Sequence, residues 1–361
     1  MSSKYEKQEE LQSKQDDASL ASSADVCSYL MSSPLLHPPA YLSPSLALRI
    51  SQQAPLLLQG SSSSFTLPFL SSGESPERWT AYEHLLLSCL RIGDDKSARL
   101  CLEKLGDRFG ATNERVMGLK GMYQEAVADD NAALERILKE YEAILVEDPT
   151  NMPIAKRRIA VLRSMSQIEA AISALVKLLD MSPTDAEAWS ELSDLYLSQG
   201  LYRQAIFSLE EVLLITPNAW NIHARMGELI FISSNASASA DDVDVEKSLI
   251  DSMRWFCRSI ELCDDYLRGY YGLKLIYFQT SNRLLLSQKY KNTSASDISG
   301  PDGTAQPSLT TIQRLNQQAT AKLSEIVRKS STGDKAWDGY AQAEVIAARE
   351  LLGRDEQFAE R

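Results

Sequence analysis

A short basic stretch offers the clearest chemistry in this sequence. A predicted helix at 155–163 carries Lys156, Arg157, Arg158 and Arg163, in a chain whose formal net charge is −12. Lys156 and Arg163 are about two helical turns apart and therefore share one face of that helix. Ammonium and guanidinium groups gathered on one face can bind the carboxylates of an acidic partner segment. The alternative is a solvated face whose cations pair with glutamates of the next helical unit.

Residues for catalysis form no recognisable constellation. The sequence has no GxSxG, HExxH or GxxxxGK[S/T] motif, and no GxGxxG that opens a helix after a strand. Adjacent carboxylates such as Glu210 and Glu211 fall in surface patterns with no apolar pocket in prospect, so a solvated face explains them. We therefore expect a protein that is not an enzyme and that uses no cofactor.

Cysteine and histidine give no sign of a metal site. The five cysteines include no CxxC pair, and only three histidines are present. Cys89 and Cys101 fall within helical patterns, where cysteine is typically a small buried hydrophobic residue. The sequence thus predicts neither a zinc site nor a disulfide framework.

Charge and hydropathy indicate a cytosolic protein. Binding to nucleic acid needs a positive field, and the acidic balance argues against it. The first residues, MSSKYEKQEE, lack the apolar stretch of a secretory signal. No run of about 18 apolar residues, the length that spans a bilayer, occurs in the sequence.

The stretch from 185 to 217 has the pattern of two paired helices. The first helix has an apolar stripe at spacings of three and four, formed by Trp189, Leu192 and Tyr196. After Gly200, the second helix has its own stripe, which includes Ala205 and Leu209. Pro217 ends the unit, because proline cannot continue the helical hydrogen bonds. At the start, Thr184 to Glu187 has the spacing of a capping box.

The same pattern recurs along the chain. Pro149, Pro183 and Pro217 are evenly spaced at about 34 residues, the period of the tetratricopeptide repeat. The same step relates Ala171 to Ala205 and Leu175 to Leu209. One helix pair cannot bury both of its apolar faces, so neighbouring pairs must stack on it. We therefore predict an all-α, tetratricopeptide-repeat superhelical solenoid of about five to six helix pairs.

Composition divides the chain into segments. We expect a disordered or loosely ordered leader at 1–42, a short helix and Ser-rich connector at 43–76, the solenoid at 77–291 with an insert at 231–247, a flexible linker at 292–308, and closing helices at 309–361. The closing helices would supply the partner of the sixth unit and the polar cap that such an array needs for solubility.

The first helices of the stacked pairs line the inner groove of such a superhelix. Six side chains are predicted to point into this candidate partner-binding groove: Lys156, Ala160, Arg163, Ser190, Asp194 and Leu197. A clamp for the carboxyl-terminal tails of cytosolic chaperones would need Asn at the position of Ala160. It would also need cations where Glu187 and Glu191 stand, so the sequence argues against this clamp.

Four stretches resemble a known family. They are YEHLLLSCLRIGDDKSARLCLEKL (82–105), EDPTN (147–151) with the basic helix AKRRIAVLR (155–163), DAEAWSELSDLYLSQGLYRQAIFSLEEVLLITPN (185–218), and WFCRSIELCDDYLRGYYGL (255–273). The family they resemble is subunit 2 of the endoplasmic reticulum membrane protein complex. A generic repeat explains the Trp–Leu–Tyr–Ala–Pro skeleton, but it does not explain the basic helix after EDPTN.

The resemblance implies a cytosolic scaffold that is peripheral on the endoplasmic reticulum membrane. Such a scaffold does no covalent chemistry. It holds cytosolic parts of the membrane-embedded subunits and a cytosolic partner subunit, and so supports the insertion of transmembrane and tail-anchored proteins. Its membrane association is indirect, through protein partners. The alternative is a free tetratricopeptide-repeat adaptor or co-chaperone that binds peptide segments in its concave groove.

Overall fold

The computed structural model describes residues 35, 42–58, 76–236, 242–277, 307–332 and 340–359. All regular secondary structure within these residues is helical. The chain forms two compact units, Met1–Ala174 and Leu175–Arg361. The predicted leader at 1–34 and 36–41, the connector at 59–75 and the linker at 292–306 lie outside the described residues.

Unit 1 consists of helices that pack mainly against their neighbours in the chain. They are α1 (Pro44–Ser51), α2 (Ala54–Leu58), α3 (Pro76–Ile92), α4 (Asp95–Phe109), α5 (Glu114–Val127), α6 (Asn131–Glu147) and α7 (Met152–Ser164). Helix α8 (Ile168–Met181) follows and contains the point that divides the units. Asparagine or aspartate side chains accept backbone hydrogen bonds at the starts of α4, α5, α6 and α7, which fixes where these helices begin.

The core of unit 1 begins with residues that precede the first helix pair. Helix α1 packs on α3, and α2 packs on α4. Ile50 and Ala54 join the buried residues of α3 and α4 in one cluster. Leu35 belongs to the same cluster and is only 1% exposed, although it lies within the stretch predicted as a loosely ordered leader. Its backbone carbonyl is 2.6 Å from Nδ1 of His84 on α3. The described part of the leader is therefore packed against the first helix pair.

Turns between the two helices of a pair need a backbone that turns sharply. Gly93 and Gly200 have φ angles of +79° and +70°, a region that glycine adopts without steric cost. Ser166 occupies the corresponding turn between α7 and α8 and has a φ of +59°. A residue with a Cβ is strained in this conformation.

Unit 2 contains a second series of helices. They are α9 (Ala186–Ser198), α10 (Tyr202–Ile215), α11 (Trp220–Ala236), α12 (Asp242–Leu262), α13 (267–277), α14 (Leu309–Thr332) and α15 (Gln342–Ala359). Helices α9 and α10 pack together, as do α11 and α12. The N-cap of α9 is Asp185, whose side chain accepts from the backbone N–H of Ala188. The capping residue is thus Asp185 and not Thr184, one position later than the predicted box.

The predicted insert at 231–247 is largely helical. Helix α11 runs on to Ala236 and α12 begins at Asp242, so only 237–241 separates them, outside the described residues. Val245 and Leu249 are buried at a helical spacing, and they extend the apolar face of α12 toward its start. The serines and alanines of this stretch suggested a loop, but both residue types are tolerated in a helix that is held by packing.

The same type of hydrogen bond is found at the start of three helices of unit 2, each of them the first helix of its pair. The ring N–H of Trp189 donates to the carbonyl of Pro183 at 2.9 Å. A ring nitrogen of His223 makes the same contact with Pro217, and the hydroxyl of Tyr270 makes it with Asp264, each across six positions. The side chain at this repeat position therefore closes the turn before its own helix.

The last helices form part of the core of unit 2. Ile312 and Ala319 of α14 pack with Leu273 and Ile276 of α13. Leu323 and Ala348 join them through a second cluster around Leu267. A polar contact supports this packing, since the buried ammonium of Lys274 donates to the hydroxyl of Thr320 at 2.7 Å.

Candidate functional site

The first helices of unit 1 surround a pocket. Helices α3, α5 and α7 supply most of its walls, with one residue each from the segment before α1 and from α6. Its volume is about 840 Å³. We call it the unit-1 pocket, and its lining residues are Leu42, His84, Leu87, Ser88, Leu90, Arg91, Met122, Glu125, Ala126, Leu134, Arg157, Ala160 and Ser164. Five large apolar side chains and two alanines share this lining with six polar or charged residues, and such a mixture is typical of binding pockets.

Two charged side chains on the pocket wall form an ion pair between α5 and α7. Arg157 donates from Nε to one oxygen of Glu125 at 2.9 Å and from Nη2 to the other oxygen. The side chains are 25% and 13% exposed, respectively. A bidentate pair with this degree of burial holds the guanidinium in a fixed orientation.

A third residue completes the contact from α6. The hydroxyl of Tyr141 donates to Glu125 at 2.7 Å, and the ring is almost fully buried. Tyr141 reaches Glu125 because Gly121 faces it on α5. A Cβ at Gly121 would lie 2.2 Å from the Tyr141 hydroxyl oxygen, which is closer than atoms can approach. The glycine is needed here to admit the tyrosine ring.

The ionisation of these groups follows from burial and from the Glu125 carboxylate. Burial raises the pKa of Tyr141, and the hydrogen bond to Glu125 raises it further. Burial alone would lower the pKa of Arg157, but the hydrogen bonds and charge of Glu125 outweigh it, and the net shift is upward. Tyr141 therefore stays a neutral donor and Arg157 stays a cation at physiological pH.

The basic stretch is partly engaged within the protein. Arg157 binds Glu125, and Arg158 lies 3.4 Å from a carboxylate oxygen of Glu142 on α6. Both of these acids precede the basic helix, and the pairing of its cations with glutamates of the following unit stays a prediction. Lys156 and Arg163 are exposed and are not among the lining residues of the unit-1 pocket.

The six predicted groove residues lie on two helices, α7 in unit 1 and α9 in unit 2, and their common groove stays a prediction. Ala160 lines the unit-1 pocket beside Arg157. Ser190, Asp194 and Leu197 lie on α9 in unit 2, where Asp194 accepts a hydrogen bond from Arg225 at 2.9 Å. The sequence interpretation missed Glu125 and Tyr141, whose contact depends on how closely α5 and α6 approach.

Among the residues that the structure describes, similar ion pairs link the first helices of neighbouring pairs. Each pair joins an acid to an arginine 31 or 32 positions later: Glu83 with Arg115, Glu125 with Arg157, and Asp194 with Arg225. The first two lie in unit 1 and the third lies in unit 2. This separation, close to one repeat, is a signal that the sequence could have provided.

The predicted repeat-core residues differ in burial. Five are fully buried: Ala171, Leu175, Leu192, Ala205 and Leu209. Trp189 and Tyr196 are half-buried at the edge of their cluster, and Pro183 and Pro217 are exposed. Trp189 packs edge-to-face with the exposed Phe207, with ring centroids 6.1 Å apart. Trp189 therefore covers the margin of the core and does not occupy its centre.

The described residues offer neither a metal site nor a membrane-spanning helix. Among them, no cluster of histidine, cysteine and carboxylate side chains could hold a metal ion. In the same residues, no helix has both the length and the apolar character needed to cross a membrane.

Comparison with known proteins identifies the family. Residues 118–240 match the family model described as "EMC2 TPR-like repeat domain". ER membrane protein complex subunit 2 of Saccharomyces cerevisiae is 30% identical over 222 residues, which cover 58% of this chain and 73% of that protein. The chain belongs to the family of ER membrane protein complex subunit 2.

Two further proteins are similar to this chain. The Xenopus laevis subunit 2-A is 29% identical over 213 residues, which cover 59% of this chain and 67% of that protein. The TPR repeat protein oca3 of Schizosaccharomyces pombe is 36% identical over 197 residues, which cover 55% of this chain and 65% of that protein, slightly less than two thirds of its length.

The predicted fold class is confirmed by the family model and by the helical structure. Among solved structures, a TPR repeat-containing protein from Cytophaga hutchinsonii is 14% identical with a TM-score of 0.44, and covers 83% of this chain and 100% of its own.

Proposed function

We propose that this protein is a non-catalytic scaffold subunit of the ER membrane protein complex, peripheral on the cytosolic face of the endoplasmic reticulum membrane. It supports the insertion of transmembrane and tail-anchored proteins by holding cytosolic parts of the membrane-embedded subunits and a cytosolic partner subunit. The observation that carries this proposal is the similarity to the Saccharomyces cerevisiae subunit 2, which extends over 73% of that relative.

The architecture supports a binding role. Repeats of paired helices present long surfaces to other polypeptides, and each first helix adds side chains to the same face. The unit-1 pocket places apolar residues on this face, and burial of apolar surface is the main source of affinity between proteins. The protein can therefore hold a partner segment without any reactive group.

Copurification from cells tests the proposal. The full chain with an affinity tag is isolated from membranes in a mild detergent, and its partners are identified by mass spectrometry. We expect membrane-embedded subunits of the complex in near-stoichiometric amounts, and we expect alkaline carbonate to release the protein from washed membranes. Recovery in the soluble fraction with chaperones alone would contradict the proposal and favour the free adaptor.

A further inference from the structure

We propose that the unit-1 pocket binds an apolar segment of a partner protein that carries one carboxylate, and that Arg157 receives this carboxylate. The inference deepens the proposed function and rests on it, because it names the chemistry of a segment that a scaffold would hold. Arg157, which sequence reasoning treated as one of four similar cations, then differs from its neighbours in role.

The apolar part of the partner is inferred from the pocket walls. Leucines and a methionine from four parts of unit 1 line the pocket, and they are Leu42, Leu87, Leu90, Met122 and Leu134. A volume of about 840 Å³ accommodates several large side chains. An amphipathic helix that inserts side chains at i, i+3, i+4 and i+7 is the usual occupant of such a site.

The carboxylate is inferred from the hydrogen-bonding capacity of Arg157. A guanidinium has five N–H donors, and Glu125 uses Nε and one hydrogen of Nη2. Apart from Glu125 and the adjacent Tyr141 hydroxyl, Arg157 has no acceptor among the residues that the structure describes. Arg157 lines the pocket, so its remaining N–H donors can bind the carboxylate of a partner segment there.

The charge of the pocket favours the same partner. Glu125 is the one carboxylate among the lining residues of the pocket, and it is already paired with Arg157. Glu125 already accepts from Tyr141 and Arg157, and it is therefore a poor acceptor for a cationic partner. The pocket therefore favours a partner segment that carries an acidic group over one that carries a cation.

The arginine is oriented before any partner arrives. Glu125 fixes the guanidinium by a bidentate contact, and Tyr141 donates to the same Glu125 oxygen that accepts from Nε of Arg157. A partner carboxylate would then meet a group that needs no further ordering, which lowers the entropy cost of binding. Glu125 and Tyr141 are thus positioning residues for Arg157.

A peptide library tests the proposal. A phage-displayed library of random peptides of about 16 residues, long enough for a helix with four anchor positions, is selected on the full chain. We expect the enriched peptides to combine apolar residues at helical spacing with at least one Asp or Glu. Their binding is then measured by fluorescence anisotropy, together with versions in which Asp or Glu is replaced by Asn or Gln.

Two variants separate the cation from the fold. Glu125→Gln keeps Arg157 and a hydrogen-bond acceptor, and it makes the pocket more positive. We expect it to keep the preference for the acidic peptide over its amide version, because the cation remains, and to bind more weakly than the wild type, because the bidentate contact is lost. The double variant Glu125→Gln/Arg157→Met removes the cation without leaving a buried charge unpaired. We expect roughly tenfold weaker binding or more, and no remaining preference for the acidic peptide over its amide version.

A matched pair of bulky substitutions locates the site. Ala126→Trp places an indole at the pocket, whereas Ala132→Trp places one on an exposed position of α6 that is outside the pocket lining. We expect Ala126→Trp to abolish binding and Ala132→Trp to leave it unchanged, with circular dichroism used to verify that both variants are folded.

Three results would overturn the inference: no peptide enriched over a blank surface, enriched peptides that bind equally well without their acidic residue, or equal binding by Ala126→Trp and Ala132→Trp. Each of these leaves copurification with the complex unaffected. Loss of copurification with intact peptide binding would instead contradict the proposed function.

Discussion

At the scale of single residues, the contact among Tyr141, Glu125 and Arg157 is the best-defined polar feature near the pocket. It joins three helices through one carboxylate. Buried polar groups of this kind are costly when one partner is removed, because the others lose a hydrogen bond that water cannot replace. Conservative substitutions therefore report on its strength.

Removing the Tyr141 hydroxyl tests this contact. We expect Tyr141→Phe to lower the free energy of unfolding by about 1–2 kcal/mol, because Glu125 loses a donor in a largely buried position. Urea denaturation followed by circular dichroism measures the change. Tyr202→Phe is the matched control, since no side-chain hydrogen bond is seen for the half-buried Tyr202 within the described residues. Equal effects of the two substitutions would contradict this interpretation.

Cysteine reactivity provides a second test at this scale. Burial raises the pKa of the Cys89 thiol to about 12 and that of Cys101 to about 12. The reactive thiolate is thus scarce at pH 8, and access to both side chains is blocked. We expect both to resist iodoacetamide in the native protein and to react after unfolding, as read by peptide mass spectrometry. Rapid native alkylation of either would show that α3 and α4 separate.

At the scale of elements, a glycine on one helix lets a large side chain of the neighbouring helix approach closely. Gly121 and Gly227 are each the eighth residue of their helices, α5 and α11. With no side chain on α5 at this point, Tyr141 fills the space from α6. A side chain of the neighbouring helix therefore fills the space that a glycine leaves open at this position.

A double-mutant cycle tests this complementarity. We expect Gly121→Ala to destabilise the protein by about 1–3 kcal/mol, because the added methyl group overlaps the Tyr141 hydroxyl. Combining it with Tyr141→Phe should cost less than the sum of the two single changes, since the oxygen that clashes is gone. Additive losses in chemical denaturation would show that the two residues do not compete for space.

The turn at Ser166 leads to the prediction of a substitution that stabilises the protein. Ser166 adopts a positive φ, which glycine adopts without the Cβ clash. We expect Ser166→Gly to raise the free energy of unfolding by about 0.5–1 kcal/mol, the difference between relieved strain and added chain entropy. Ser198→Gly, near the end of α9, should instead lower stability, because a helical glycine is unfavourable. Thermal unfolding of both variants measures the two changes in stability, and changes of the same sign would contradict the prediction.

The helices could be predicted from the sequence, but the contacts between them could not. Helix pairs follow from apolar spacing, from Gly93 and Gly200, and from evenly spaced prolines, all of which are local or periodic signals. The site at Tyr141 depends on the distance between α5 and α6, which no single segment encodes. The cap at Asp185 and the helical ends of α11 and α12 were misplaced because serine, threonine and aspartate are common both in loops and at helix ends.

At the scale of the whole molecule, each unit is stabilised by helices from beyond the best-matching repeats. In unit 1, Leu35, α1 and α2 cover the first helix pair. In unit 2, α14 and α15 complete the core around α13. These helices were predicted to be the partner of the sixth helix pair and a polar cap, and their inner faces carry buried leucine, isoleucine and alanine side chains.

Truncation of one core side chain tests the role of the closing helices. Leu323 on α14 is 0% exposed, whereas Ile346 on α15 is 46% exposed. We expect Leu323→Ala to cost about 2–5 kcal/mol of unfolding free energy and Ile346→Ala to cost less than about 1 kcal/mol. Limited proteolysis with mass spectrometry should show earlier cleavage within unit 2 for Leu323→Ala. Equal behaviour of the variants would mean that α14 is not needed for the core.

The buried position of Leu35 has a practical consequence for any shortened version of the protein. Removal of the residues before 42 would leave His84 without the carbonyl it contacts and would uncover apolar surface on α3. Uncovered surface of this kind promotes self-association, so such a truncation would be prone to form aggregates even with every repeat intact.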